Sequence, residues 1–247
     1  MIKEALQYVC GLAKENEKTE VLTICGKTYA NRNLTRYDSP EKARPLEASS
    51  LSAMVDYISS LSGEFPEGRQ MIIHIVSPKE VRLLSSLDAE RGRECLFVSS
   101  AVTSEYRFGQ WYDQEEFMVA LQSNFDSSDD LRAVMRMAGN IEKKNNQSYS
   151  DDGISQVATI TMGAATKADA LVPNPVTLFP YRTFQEVTQP ASEFVFRISN
   201  EEVPRFKIVE AQGGLWKNQA ADNIRMYFNN ALADMPEEIA GRIVIIG

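Results

Sequence analysis

A chain of 247 residues, 43% of them hydrophobic, is long enough to bury a core as one large domain or two small ones. Its 34 acidic residues outweigh 26 basic residues, and the net charge of −8 works against non-specific attraction to phosphate backbones. The 3 cysteines form no CxxC pair, so a secreted disulfide framework is not expected and a reducing cytoplasm is predicted.

The N-terminal residues carry charges within the first four positions and contain no uninterrupted apolar run, so the pattern of a signal peptide is missing. No segment approaches the about 20 apolar residues that a membrane span needs. The sequence therefore predicts no membrane association.

The first half of the chain predicts two helices, a hairpin and three strands. Residues 1–14 carry apolar residues spaced four, three and four apart, which is typical of an amphipathic helix. Turn signals between short apolar runs predict a hairpin at 21–37. A second helix is expected at 50–61, with Ser49 or Ser50 as its N-cap. Three strands with short connections that favour antiparallel pairing follow at residues 71–76, 81–86 and 95–102.

A helical hairpin is predicted next. Asp113 opens its first helix with Glu116 as the capping partner, and the inner face carries Phe117, Leu121 and Phe125. The second helix is capped near Ser128 and ends at Gly139. Its inner stripe is expected to be Leu131, Val134, Met135 and Ala138.

The remaining segments are mainly strands. A strand is expected at 154–162 and further strands up to residue 210, followed by a helix at 217–233 and a terminal strand at 242–246. The apolar stripe of that helix is Ala220, Ile224, Phe228 and Leu232. The fold class is α+β: antiparallel β-sheet or sheets packed with four to five helices, in one unit spanning 1–247. The polar stretch 142–152 is the best candidate for a subdomain boundary.

Residues 172–198 read as scaffold. Prolines stand where a missing N–H does least harm, at strand edges or corners. Val176 and Leu178, then Phe194, Phe196 and Ile198, alternate with polar residues as half-buried antiparallel strands do. This stretch contains no residue set with recognisable chemistry.

Catalytic chemistry has little to be built from. His74 is the only histidine and lies among isoleucines, so a buried strand histidine with a structural partner is favoured over a catalytic base. Gly26-Lys27-Thr28 lacks the first glycine of a P-loop. The paired carboxylates Asp129/Asp130 and Asp151/Asp152 are interpreted as structural. No catalytic residue, metal site or cofactor is predicted.

The densest basic run offers a ligand hypothesis. Cations and tyrosines on one hairpin stack bases or hold phosphates in some proteins, although a solvated surface is the simpler interpretation. The candidate residues are Arg32, Arg36, Arg44, Tyr29 and Tyr37.

Two further groups are candidates for a subunit interface. The apolar stripe of the N-terminal helix either docks on its own core or packs against a neighbouring subunit. The aromatic cluster around Gly109 reads as core or interface, since Trp and Tyr are enriched in both. The candidate interface residues are Ile2, Leu6, Val9, Trp111 and Tyr112.

A leucine-rich helix near Leu51, a strand near Arg82, and the blocks FGQWYDQEEFMVALQSNF, DDGISQ and PNPVTLFPYRTF…FVFRI occur in that order. Together they resemble the phage and prophage family of unknown function typified by YfdQ-like proteins, over about residues 46–232. The resemblance implies a virus-encoded protein of the bacterial host cytoplasm, with no established catalytic residues to carry over.

These observations favour a non-enzymatic phage accessory protein that binds or assembles as a homo-oligomer. The apolar helix at 1–14 and the hydrophobic strand at 242–246 are the expected assembly elements. One alternative is a nucleic-acid or nucleotide binder, in phage recombination or in capture of a host defence signal. A second alternative is a carboxylate–metal enzyme using Asp151 and Asp152. A host protein is a further candidate partner.

Overall fold

The computed structural model describes most of the chain. The described residues are 2–16, 19–24, 27–31, 42–60, 69–88, 91–141, 157–162, 166–171, 174–199, 201 and 203–247. The chain divides into two compact units, Met1–Lys42 and Ala43–Gly247. The boundary predicted near 142–152 lies outside the described residues and stays a prediction.

The first unit consists of a helix and a hairpin, as predicted. Helix α1 spans Ile2–Asn16. Strands β1 (Val21–Ile24) and β2 (Lys27–Ala30) pair antiparallel, with Val21 opposite Ala30. The backbone N–H of Asn31 donates to the carbonyl of Glu20 at 3.2 Å and closes the open end of the hairpin.

The second unit contains the remaining helices and strands. Its helices are α2 (Leu51–Ser59), α3 (Gln114–Asn124), α4 (Asp129–Asn140), α5 (Trp216–Ala233) and α6 (Glu237–Ala240). Its strands are β3 (Leu46–Ala48), β4 (Met71–Ser77), β5 (Glu80–Ser85), β6 (Cys95–Ser100), β7 (Val157–Met162), β8 (Thr166–Leu171), β9 (Val176–Leu178), β10 (Ser192–Ile198), β11 (Phe206–Glu210) and β12 (Ile243–Ile246).

The α+β class is confirmed. The predicted number of helices, four to five, was too low, because the described residues form six. The missed helix, α6, is a single turn after Pro236, too short to show a 3.6-residue apolar period. The predicted helix caps are present: the side chains of Ser50, Asp113 and Ser128 accept from backbone N–H groups at 3.3, 2.8 and 3.0 Å.

A first core lies between the helical hairpin and a small sheet. Strands β11, β10 and β9 form an antiparallel sheet in that order, and α3 and α4 cover it. The predicted residues of α3 are buried, as are the alternating apolar residues of β9 and β10. In α4 the predicted stripe was wrong at one position, because Met137 is buried and Met135 only half-buried. The rings of Phe117 and Phe206 stack with centroids 5.3 Å apart.

A second core lies between a larger sheet and helices α2 and α5. The sheet has the order β12-β4-β5-β6-β3. The predicted stripe of α5 (Ala220, Ile224, Phe228 and Leu232) is buried, and its last three residues belong to this core. The pairing of β4, β5 and β6 is antiparallel as expected, but β12 is parallel to β4 and β3 is parallel to β6. The sheet is therefore mixed rather than purely antiparallel.

Candidate interaction surfaces

The apolar stripe of α1 is exposed to solvent. Ile2, Leu6 and Val9, the predicted interface residues of this helix, have exposed fractions of 80%, 60% and 60%. An isolated helix of this length is marginal in water, and most helices are stabilised by packing an amphipathic face. The apolar side of α1 is therefore available to pack against another surface.

The hairpin of the same unit has no buried side chain either. Val21, Leu22 and Ile24 on β1 are each more than half exposed, and so is Tyr29 on β2. A two-stranded hairpin alone is marginally stable, because one pair of strands buries too little apolar area. Every side chain that the structure describes in Met1–Lys42 is exposed, so the unit lacks a core of its own.

Two of the five candidate ligand residues fall in the described part of the chain. Tyr29 is exposed on β2, and Arg44 is exposed in the second unit. Arg32, Arg36 and Tyr37 lie outside the described residues. The basic ligand surface therefore stays a prediction.

The aromatic cluster around Gly109 has partners within the chain. Tyr112 bridges to Phe206 through the backbone, and its hydroxyl contacts the N–H and C=O of Arg107 at 3.1 and 3.3 Å. Trp111 is half-buried, with the ammonium of Lys207 4.3 Å from its ring centroid. These contacts agree with the core interpretation, and the interface interpretation of Trp111 and Tyr112 stays a prediction.

Strand β4 places His74 away from the core. Met71, Ile73 and Ile75 face α2 and α5 and are buried, whereas His74 alternates onto the open face of the sheet and is half-buried. The prediction of a buried histidine was therefore wrong. The residues around His74 in MIIHIV are all apolar, which suggested a strand covered on both faces, whereas only one face of β4 is covered. The neighbours of His74 across the sheet are Arg82 on β5 and Ile246 on β12.

The described residues offer little to nucleophilic or metal chemistry. Burial raises the pKa of the Cys95 thiol, and nearby Arg82 offsets only part of that effect, which disfavours a reactive thiolate. No group of three His, Cys, Asp or Glu side chains converges on a metal position in the part of the chain that the structure describes. Asp129 pairs with Arg132 at 2.6 Å, and Asp130 accepts from the N–H of Thr177 at 2.7 Å. Asp151 and Asp152 lie outside the described residues.

A buried polar junction, which the sequence did not indicate, is centred on Arg182. Its guanidinium donates to Glu210 Oε1 at 2.8 Å and to Ser192 Oγ at 2.7 Å. The same group lies 4.3 Å from the ring centroid of Trp216 and 5.7 Å from that of Phe194. Burial lowers the pKa of Arg182, and the hydrogen bond and charge of Glu210 oppose that change. Phe194 belongs to the first core, whereas Trp216 is the first residue of α5, whose later residues pack in the second core.

Strand β12 forms one of the two edges of the larger sheet, and among the described residues no helix covers the face opposite α2 and α5. Strand β12 lies at the end of the sheet order, and no strand in the described residues pairs with its outer side. Val244 and Ile246 point to the open face with exposed fractions of 42% and 45%. Ile72, Leu84 and Cys95 continue this apolar row across the sheet. The strand predicted at 242–246 is thus present, with one side paired and one side free.

Comparison with known proteins gives no relative: no family model, no curated protein and no solved structure matches the chain. Among the described residues, no helix is both long and apolar enough to cross a bilayer. The self-association proposed below is therefore argued from the exposed surfaces.

Proposed function

We propose that the protein works as a homo-oligomeric binding or assembly protein of the cytoplasm, and that Met1–Lys42 supplies its main self-association surface. The observation that supports this proposal is that every apolar side chain described in that unit is exposed. A helix and a hairpin whose described side chains are all exposed gain stability when another surface covers them.

The stripe on α1 fits a second copy of itself. Ile2, Leu6, Val9 and Ala13 follow the four-three-four spacing of a heptad seam, in which two helices interlock their apolar residues. A seam of this kind is self-complementary, so the same residues serve both subunits. The accessory role in a phage and the absence of catalysis remain part of the proposal, since they rest on the resemblance and on the scarcity of catalytic residue types.

Placing charges in this seam should break the contact that α1 makes with a second copy. In Leu6→Lys/Val9→Lys, two ammonium groups replace apolar side chains that each contribute about 1.5–3 kcal/mol when buried. We expect the dissociation constant to rise by at least about 100-fold, measured by sedimentation equilibrium. The parent should sediment as a multiple of 27.7 kDa at micromolar concentration.

The matched control for that substitution is Gln7→Lys/Tyr8→Lys. It adds the same number of lysines to the same helix, away from the stripe, and should leave the mass of the parent unchanged. A parent that sediments at 27.7 kDa would contradict the proposal, and so would a Leu6→Lys/Val9→Lys variant with the parental mass.

The second candidate function is nucleic-acid binding by the basic run of the sequence, in which Arg32, Arg36 and Arg44 are the predicted contacts. A labelled oligonucleotide should then bind with an affinity that falls steeply with salt, because each neutralised phosphate releases counterions. Replacing Arg32, Arg36 and Arg44 by alanine should abolish binding or reduce the slope of log K against log salt by up to about 0.9 per lost contact on duplex DNA. Fluorescence anisotropy at several salt concentrations measures both quantities.

The control for the arginine variant removes the same charge from exposed arginines elsewhere, namely Arg69, Arg107 and Arg136. It should retain most of the affinity and the full salt slope. Equal losses in the two triple variants would show that net charge, and not the basic run, governs binding.

A further inference from the structure

Alternate residues of β12 point their backbone N–H and C=O groups to the outer side of the strand, away from β4. The N–H of Met71 donates to the carbonyl of Arg242 at 2.8 Å, which places the backbone groups of Arg242, Val244 and Ile246 toward β4. Alternate residues of a strand point their N–H and C=O groups to opposite sides. The backbone groups of Ile243 and Ile245 therefore point away from the sheet.

This edge lacks the features that prevent strand pairing. Natural edge strands carry charges, prolines or bulges that keep other strands away. The sequence of β12 is Ile-Val-Ile-Ile, and its ladder with β4 is regular from Ile243 to Ile246. Both faces of the strand are apolar, with Ile243 and Ile245 half-buried against the second core and Val244 exposed on the open face.

We propose that β12 pairs antiparallel with β12 of a second copy, about a two-fold axis that passes beside Val244. Only this register opposes both outward residues within the strand, Ile243 to Ile245 of the partner and Ile245 to Ile243 of the partner. Each of those pairs exchanges two N–H···O bonds. The five-stranded sheets of the two copies then become one continuous sheet.

Charged side chains of both signs lie beyond the two ends of β12. Arg225 on α5 donates to the carbonyl of Gly247 just after the strand, and it also pairs with Asp222 at 2.8 Å. Glu237 and Glu238 lie in α6 just before the strand and are exposed. Helices α5 and α6 contribute to the same core, on one face of the sheet. An antiparallel pair therefore brings the Arg225–Asp222 ion pair of one copy toward Glu237, Glu238 and Arg242 of the partner subunit, so the charges at this contact are mixed and the backbone register carries the proposal.

This inference rests on the proposed self-association and adds a second, independent surface to it. Two different self-complementary surfaces on one chain build either a closed tetramer or an open array. The experiment must separate the surfaces, so it is carried out on the full chain carrying Leu6→Lys/Val9→Lys. We expect that variant to remain a dimer through β12.

The decisive substitutions are Val244→Lys and Val244→Glu in that background. A residue beside the two-fold axis meets its own copy, at about 4.5 Å between Cα atoms for a non-hydrogen-bonded pair. Each variant alone therefore opposes like charges and should raise the dissociation constant at least about 100-fold. An equimolar mixture of the two opposes Lys to Glu and should restore the dimer, measured by sedimentation equilibrium.

The control is Val76→Lys, on β4, because Val76 and Val244 have the same exposed fraction of 42%. It should leave the dimer intact. The inference is overturned if Val244→Lys keeps the dimer, if the mixture stays monomeric, or if the Leu6→Lys/Val9→Lys background is already monomeric. A monomeric Leu6→Lys/Val9→Lys variant would still support the proposed role of Met1–Lys42. If Leu6→Lys/Val9→Lys instead keeps the mass of the parent and the added Val244→Lys dissociates it, only the pairing through β12 is supported.

Discussion

Replacing Arg182 with alanine is expected to lower the free energy of unfolding by about 3–5 kcal/mol, the cost of breaking a buried ion pair by removing one partner. The side chain of Arg182 is 8% exposed and that of its partner Glu210 is 25% exposed. Removal takes the arginine donor away from Glu210 and Ser192, and leaves Glu210 Oε1 with only the hydroxyl of Ser192, which donates to it at 3.2 Å. It also leaves a gap beside the ring of Trp216, because the guanidinium lies against that ring.

Chemical denaturation of the parent and the variant measures this loss. Arg182→Lys should also destabilise the fold, though less. An ammonium keeps the charge, but it has no planar group that stacks on a ring while donating hydrogen bonds in two directions. The control is Arg136→Ala, an exposed arginine, which should change stability by no more than about 0.5 kcal/mol. An Arg182→Ala variant as stable as the control would show that the junction contributes little to the stability of the fold.

A double-mutant cycle separates the ion pair from the packing. If the ion pair dominates, Glu210→Ala lowers the free energy of unfolding of the parent, but lowers that of the Arg182→Ala variant only slightly. If contact with Trp216 dominates, the losses of the two single variants add in the double variant.

The elements that the sequence predicted well have strong local signals. Helix α5 shows a regular apolar stripe over four turns, and α3 and α4 begin at residues whose side chains accept backbone N–H groups. Strands β9 and β10 show the predicted alternation of buried apolar residues with less buried ones, because α3 and α4 cover one face of that sheet. Each of these signals lies within one element.

The features that the sequence did not predict depend on distant partners. Strand β3 is three residues long and pairs with β6, and β12 pairs with β4, so both parallel pairings join segments far apart in the chain. His74 was interpreted as buried because the sequence does not say which face of β4 is covered. Arg182 stands between Tyr181 and Thr183, and its partners Glu210 and Trp216 follow much later in the chain.

The candidate surfaces also combine features that the sequence predicted with features that only the structure shows. The stripe of α1 was visible as a heptad-like spacing, whereas its exposure could be known only from the structure. The outward phase of Ile243 and Ile245 depends on the register with β4, which no local pattern encodes. The sequence therefore predicted which segments associate, and that association stays a prediction. The structure adds which of their side chains and backbone groups are exposed.

Tyr106 should make the fold sensitive to alkaline pH. Its hydroxyl is buried without a hydrogen-bond partner among the described residues, within a cluster that includes the rings of Phe108 and Phe125, each 5.0 Å away. Burial raises the pKa of Tyr106 well above its usual value, and neighbouring Tyr112 adds to the increase. The folded chain therefore keeps the proton over a range in which the unfolded chain releases it.

The sign of the effect follows from proton linkage. A folded-state pKa above the unfolded value contributes stability that is complete below about pH 10, the usual value of tyrosine, and is lost as the pH rises toward the folded pKa. Tyr106→Phe removes that loss. The difference in unfolding free energy between variant and parent should therefore grow in favour of the variant by about 1.4 kcal/mol for each pH unit above about 10.

At neutral pH the same substitution should be neutral or mildly stabilising, because it removes a buried hydroxyl that lacks a partner while keeping the ring contacts. Denaturant titrations at pH 7, 10 and 11 measure both effects. Tyr29→Phe is the control, since it removes a hydroxyl that is exposed in the folded chain and should give no gain at high pH. If the difference between Tyr106→Phe and the parent is the same at all three pH values, the phenol of Tyr106 is not held neutral by the core. A clear loss of stability at pH 7 would instead reveal a hydrogen bond to that hydroxyl, and the aromatic cluster would then have a polar centre.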